Sequence, residues 1–185
     1  MEPAAGERAI HDITDAEAIA RSCAEPAAFG AVFDRHFQPV YAYAQRRVGL
    51  ALAEEVAAET FARAFELRAK YDTAHELALP WLLGIATNVM RRHWRSERRR
   101  LAAYARAVQH EPPGALPDPD GEAIRAVARL PRRQREVVLL HAWADLSYEQ
   151  IARALDIPVG TVRSRLSRAR GALGADPTLL EPSRA

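Results

Sequence analysis

The sequence predicts an all-α chain: two small helical domains joined by a flexible, proline-rich linker. Three observations carry this. Alanine supplies 38 of the 185 residues, while valine, isoleucine and threonine together supply 24, a balance that favours helix over sheet. Apolar residues recur at three- and four-residue spacing along most of the chain, as they do on one face of a helix. Residues 105–121 break that rhythm. The run HEPPGALPDPDG holds Pro112, Pro113, Pro117 and Pro119, which excludes a continuous helix and suits an extended connection. The expected organisation is therefore an acidic lead over 1–25, a first domain over 26–104, a linker over 105–121, a second domain over 122–175 and a tail over 176–185. Domains of this size bury modest cores. The linker's composition leaves their relative placement open.

Each element has its own signal. Thr14 and Glu17 are spaced as a capping box for a short helix over 15–23. A longer helix begins near Pro26 and ends near Gly49, its apolar stripe being Phe29, Phe33, Phe37, Val40 and Ala44. The next runs from Ala53 to Lys70, with Val56, Thr60, Phe61, Ala64 and Phe65 on its buried face. Tyr71 to Ala78 is short and polar and reads as a loop. A third long helix starts around Pro80, a residue tolerated in a first turn. Leu82, Ile85, Ala86 and Val89 form its stripe, with His93 at its margin. Asn88, Arg91, Arg92, Arg95 and Arg99 share the opposite face. In the second domain a helix over 131–143 opens on Pro131. Ser147 and Gln150 form a capping box for a helix over 148–155. Asp156 tolerates the left-handed conformation that ends it. Pro158 then precedes a helix over 159–173, with Val162, Leu166 and Ala169 facing inward. A short helix, a tight turn and a basic second helix make a helix-turn-helix.

Net charge is only +2, but its distribution is uneven. The first 60 residues carry 10 acidic and 5 basic side chains, while residues 61–110 carry 10 basic and 4 acidic. Such asymmetry suggests partners of both signs. Of the basic residues 25 are arginine and one is Lys70. This reads mainly as coding bias, with arginine forks suited to phosphate as the secondary meaning. Cys23 is the one cysteine, so no intrachain disulfide and no cysteine-rich zinc site are expected. No run of 18 apolar residues predicts a membrane span, the N-terminus lacks the apolar core of a secretory signal, and a reducing cytoplasm is the expected compartment.

The chemistry points to nucleic acid. In a helix-turn-helix the second helix enters the major groove, where arginine grips guanine bidentately or clamps a phosphate. Thr161, Arg163, Ser164, Arg165 and Arg168 are the candidates; the bland alternative is a solvated basic face. The cluster between Arg91 and Arg100 holds six arginines and one glutamate, and Asn88, Arg91 and Arg95 line one helix face. Trp81, Trp94 and Tyr71 are stacking candidates for unpaired bases, although Trp81 reads better as core. Glu54, Glu55 and Glu59 form an acidic face suited to a basic partner. As a metal or acid–base site they lack a histidine at ligand spacing. The six histidines form no metal pattern, and neither a glycine-rich phosphate loop nor a GxSxG motif occurs. No cofactor, no metal and no catalytic residue are expected.

At this point the residues resemble a family. The stretch PRRQREVVLLHAWADLSYEQIARALDIPVGTVRSRLSRARGAL, above all GTVRSRLSRAR at 160–170, is similar to the promoter-binding fourth region of bacterial extracytoplasmic-function sigma factors. FGAVFDRHFQPVYAYAQRRV, AEEVAAETFARAFE and PWLLGIATNVMRRHWRSERRR are similar to that family's second region. The resemblance implies a protein that binds core RNA polymerase and directs it to promoters, melting DNA without cutting it. It implies that Glu54, Glu55, Glu59 and Thr60 dock on the clamp helices of the polymerase's largest subunit. Asn88, Arg91, Arg92 and Arg95 would meet the minus-ten element, and the loop opening on Tyr71 would hold a flipped non-template base. Tyr148, Thr161, Arg163, Ser164, Arg165 and Arg168 would serve the minus-thirty-five element, their domain resting on the flap of the second-largest subunit. An anti-sigma protein is the expected inhibitor. Arg92 stands where many relatives have Asp, and Asp156 where Gly is common. The alternatives are a stand-alone helix-turn-helix regulator, which leaves the first domain unexplained, a nuclease built on the three glutamates, and a polymerase-binding mimic of a sigma factor.

Overall fold

A computed structural model describes residues 13–107, 126–127 and 129–173. Among these residues the chain forms seven α-helices and no strand. They are α1 (Asp15–Ser22), α2 (Gly30–Val48), α3 (Leu50–Leu67), α4 (Leu79–Ala107), α5 (Arg132–Ala142), α6 (Tyr148–Leu155) and α7 (Val159–Leu173). Single 3-10 turns at Pro26–Phe29 and Arg68–Lys70 lead into α2 and out of α3.

The starts and stops follow the local chemistry. At α1 the Thr14 hydroxyl accepts from the Glu17 N–H at 3.2 Å and the Glu17 carboxylate accepts from the Thr14 N–H at 2.8 Å, the reciprocal capping box. Ser147 and Gln150 repeat it at α6. Gly49, at φ 77°, makes the corner between α2 and α3, a conformation glycine adopts without steric penalty. Asp156 sits at φ 52° and ψ 56°. The following Ile157 N–H reaches back to the Ala152 carbonyl at 3.0 Å, the hydrogen bond that closes a Schellman turn. Helix α4 continues through Ala107, past the expected start of the linker at 105. The rest of that linker, the extreme N-terminus and the tail lie outside the described residues.

Helices α2, α3 and α4 pack around Val32, Val40, Val56, Leu82, Val89 and Met90, all buried. Phe33 and Phe61 meet edge to face at 4.9 Å and Phe29 and Phe65 at 5.4 Å, a geometry aromatic rings prefer. Helices α5, α6 and α7 close over Val137, Leu140, Ile151, Val162 and Leu166.

The two groups also pack against each other, so the buried apolar residues form one continuous cluster. Helix α4 crosses α6 at Gly84, where a Cβ atom would overlap the Ala154 carbonyl. Leu79 and Leu83 of α4, with Pro39 and Tyr43 of α2, face Trp143 and Ala144 across a small cleft. The Arg46 guanidinium lies 5.7 Å from the centre of the Trp143 ring.

Candidate nucleic-acid interface

Helix α7 is the second helix of the helix-turn-helix pair. Val162, Leu166 and Ala169 point into the core, which leaves Arg163 and Arg168 exposed and Thr161, Ser164 and Arg165 half-exposed. Thr161, Ser164, Arg165 and Arg168 line one wall of an open groove of about 750 Å³. Pro131, Arg132, Arg133 and Gln134, at the start of α5, form its other wall. Burial and the neighbouring Arg133 lower the pKa of Arg165. Crowded like charges of this kind are relieved by an anion in the groove, and the start of a helix offers free N–H groups to a phosphate. Arg132 and Arg133 were not among the residues expected from sequence. The doublet was visible after Pro131, but nothing local told that it faces α7. Tyr148, at the first position of α6, packs edge-on against His141 with ring centres 5.4 Å apart and is half-exposed.

In the first domain the expected residues separate. Asn88, Arg92 and Arg95 are exposed on α4. Arg91 is not. Its Nε and Nη2 donate to the two Glu136 oxygens at 2.9 and 2.5 Å, and Nη1 donates to the Asn88 side chain at 3.0 Å. Glu136, on α5, is fully buried. Burial alone would push its carboxyl up, but the fork of Arg91, with Arg47 and Arg132 nearby, wins and holds it below the usual range. The helical register that put Arg91 with Asn88 and Arg95 holds for the backbone. The side chain turns to the second domain because an uncompensated buried carboxylate there would be costly.

Tyr71 is half-buried, its ring 4.9 Å from that of Trp81 and its hydroxyl donating to the His75 carbonyl at 2.6 Å. Burial, helped by the Asp15 charge and opposed by Arg153, pushes its hydroxyl up to about 12. Trp94 lies against Arg47, whose guanidinium sits 5.3 Å from its ring centre.

On α3, Glu54 and Glu55 face solvent. Glu59 turns toward α4, 3.3 Å from His93 Nε2 and 3.8 Å from Arg63. Thr60 corrects the expectation. Its side chain is completely buried and its hydroxyl donates to the Val56 carbonyl at 2.7 Å, so it presents nothing to a partner. The resemblance named it a docking residue while its place in the apolar stripe put it on the buried face, and burial decides. Cys23 is exposed and unpaired with another cysteine. Among the described residues no helix is long and apolar enough to cross a membrane, and no group of three or more His, Cys, Asp or Glu is arranged around a metal position.

A two-domain helical protein with an arginine-lined helix-turn-helix, a second basic helix and an acidic outer face is a nucleic-acid-binding protein with a protein partner. Comparison narrows the class. Sigma-70 region 2 matches residues 32–100 and Sigma-70, region 4 matches residues 120–173. The extracytoplasmic-function RNA polymerase sigma factor SigC of Mycobacterium tuberculosis is 37% identical over 133 residues, covering 67% of this chain and 69% of its own. Among solved structures, CnrH in complex with the cytosolic domain of CnrY superposes with a TM-score of 0.63 at 25% identity, over 87% of this chain and 95% of that one. The sigma factor RpoE of Bartonella quintana, in complex with the anti-sigma factor NepR, shares the fold with a TM-score of 0.62 at 24% identity, over 80% and 94% of the two chains. The chain belongs to the extracytoplasmic-function sigma factors. It is a transcription-initiation factor that binds core RNA polymerase and directs it to promoters, and the stand-alone regulator falls away because both regions are present.

Proposed function

We propose that this sigma factor divides promoter recognition between its two domains as follows. Helix α7 reads the minus-thirty-five element through Arg163, Arg165 and Arg168, with Thr161, Ser164 and Tyr148 fixing its register on the duplex. The α5 start adds Arg132 and Arg133 to the phosphate contacts. Asn88, Arg92 and Arg95 meet the upstream half of the minus-ten element, joined by Arg91 once it leaves Glu136, and the 71–78 loop holds a flipped base. Glu54 and Glu55 dock on the polymerase clamp helices, with Glu59 at the margin of that face. The observation that carries this reading is the groove between α5 and α7, whose walls hold Arg132, Arg133, Arg165 and Arg168 beside a helix whose inner face is fully packed.

The protein acts without a catalytic residue of its own, in the cytoplasm, and an anti-sigma factor restrains it, the partner class seen with RpoE. The test is transcription from genomic fragments by purified core polymerase, with and without the protein. New RNA starts sharing two spaced upstream motifs are expected. Arg168→Ala is expected to weaken use of the upstream motif by roughly 1–3 kcal/mol. A stable complex with core but no new starts would instead identify a mimic.

A further inference from the structure

We infer that helix α1 braces the 71–78 loop at both of its roots, and that Asp15 is a positioning residue for base recognition by that loop. The inference rests on reading this loop as the holder of a flipped base. Helix α1 precedes the matched part of the second region, which starts at residue 32.

Asp15 occupies the first position of α1, where a carboxylate normally sits in water and acts on the helix dipole. Here it is only 5% exposed. One oxygen accepts from Arg35 Nη1 at 3.0 Å. The other accepts from His36 Nε2 at 2.6 Å and from the Ala78 backbone N–H at 2.9 Å. Ala78 is the last residue of the loop and is fully buried. Its own carbonyl accepts the Leu82 N–H and so opens α4. The downstream root of the loop is therefore fixed by a side chain from α1.

The upstream root is fixed by the other end of the same helix. The Ser22 carbonyl accepts from Arg68 Nε at 3.3 Å, and Arg68 Nη1 donates to Phe65 at 2.5 Å. Arg68 is the first residue of the 3-10 turn that leads into the loop. An eight-residue helix spans roughly 12 Å, and this one bridges Arg68 to Ala78.

Between the two roots the loop is tied to itself. The Tyr71 hydroxyl donates to His75, and the Ala74 N–H donates to the Asp72 carboxylate at 3.0 Å. Asp72, Thr73, Ala74, Glu76 and Leu77 stay exposed. The result is a loop with fixed roots and an open tip. Extruding a base has a cost, and a loop that must also be ordered on binding adds an entropic one. A braced loop has met that second cost in advance, at folding.

The test uses holoenzyme assembled from core polymerase and full-length protein, selecting from single-stranded oligonucleotides randomised across the minus-ten segment. Wild type is expected to show a strong base preference, roughly tenfold or more, at the position the loop holds. Asp15→Ala is expected to flatten preference at that one position while the other positions, core affinity and minus-thirty-five duplex binding stay within about twofold. Asp15→Asn keeps an oxygen for the Ala78 N–H and is expected to restore most of the preference. Arg68→Ala, which frees the other root, is expected to flatten the same position, and serves if Asp15→Ala does not fold. Unchanged preference in folded Asp15→Ala and Arg68→Ala overturns the brace, as does an even loss at every position. A wild-type holoenzyme that binds core but prefers no base overturns the reading of the loop itself, and the inference falls with it.

Discussion

Asp15 carries a consequence that can be measured without DNA. Burial works to raise its pKa, but hydrogen bonds from His36, the Ala78 N–H and Arg35 win and hold it at about 2, against an ordinary 3.8. A group whose folded pKa is depressed stabilises the fold above its unfolded pKa and loses that contribution as pH falls toward the folded value. The window is therefore below pH 4, closing near pH 2. The contribution at neutral pH is roughly 2 kcal/mol. Urea unfolding at pH 5 and at pH 2.5 is expected to show a steeper loss of stability for wild type than for Asp15→Asn, by about 1.5 kcal/mol, the larger part of that contribution. Equal losses would mean that the Asp15 bonds are not kept in solution. Arg47 shows the opposite situation at the same scale. It is buried, stacked between the Tyr43 and Trp94 rings, with its Nη1 donating to the Tyr43 hydroxyl at 2.6 Å, while its Nε and Nη2 find no hydrogen-bond partner. Its charge helps hold Glu136 ionised.

At the scale of the element, Gly84 decides how closely α4 and α6 approach. A glycine inside a helix normally costs roughly 0.5–1 kcal/mol relative to alanine. Here the missing Cβ is what allows contact, since the atom it would meet belongs to the Ala154 backbone and cannot rotate away. Gly84→Ala is expected to destabilise the protein by about 1–3 kcal/mol, the range for overpacking a filled site, despite the gain in helix propensity. Gly171→Ala, in α7 with nothing within 4 Å of an added Cβ, is expected to be neutral or slightly stabilising. Thermal unfolding followed by circular dichroism separates the two. A Gly84→Ala protein melting at or above wild type would show that the helices do not meet at this spacing. The elements themselves were legible in the sequence because their signals are local: Thr14 with Glu17, Ser147 with Gln150, the turn at Asp156, and the inward triad Val162, Leu166 and Ala169 all depend on near neighbours. The contact at Gly84 was not, because its partner lies 70 residues away in the chain and a mid-helix glycine reads only as a propensity defect. The pairing of Arg91 with Glu136 was hidden for the same reason. The register of Arg91 was correct, but Glu136 is 45 residues distant and sits in a run, QREVVLL, that looks like an ordinary helix surface.

At the scale of the whole molecule, the seam between the domains combines apolar contact with a buried charge imbalance. Glu136 is the carboxylate to which Arg91 of the first domain and Arg132 of its own helix both pair, at 2.5 and 3.3 Å, with Arg47 and Arg135 close by. Removing one partner of such a buried pair costs about 3–5 kcal/mol, because the remaining charges lose their compensation. The same arrangement keeps the Arg91 guanidinium occupied while Arg163 and Arg168 on α7 stay open to solvent, so on the proposed division of promoter recognition a chain with its domains together would offer DNA one complete surface and one incomplete surface. Glu136→Gln preserves shape and one acceptor but removes the negative charge, leaving Arg91, Arg47 and Arg132 to repel one another at the seam. The expected outcome is domain separation with helicity retained: a larger radius of gyration in small-angle scattering and an unchanged far-ultraviolet spectrum. Once the domains part these arginines face water, where salt screens their repulsion, so raising the ionic strength is expected to draw the variant back toward the wild-type radius. An unchanged radius at low salt would assign the seam to apolar packing at Gly84 and Trp143, with the Glu136 cluster contributing local order and no closure.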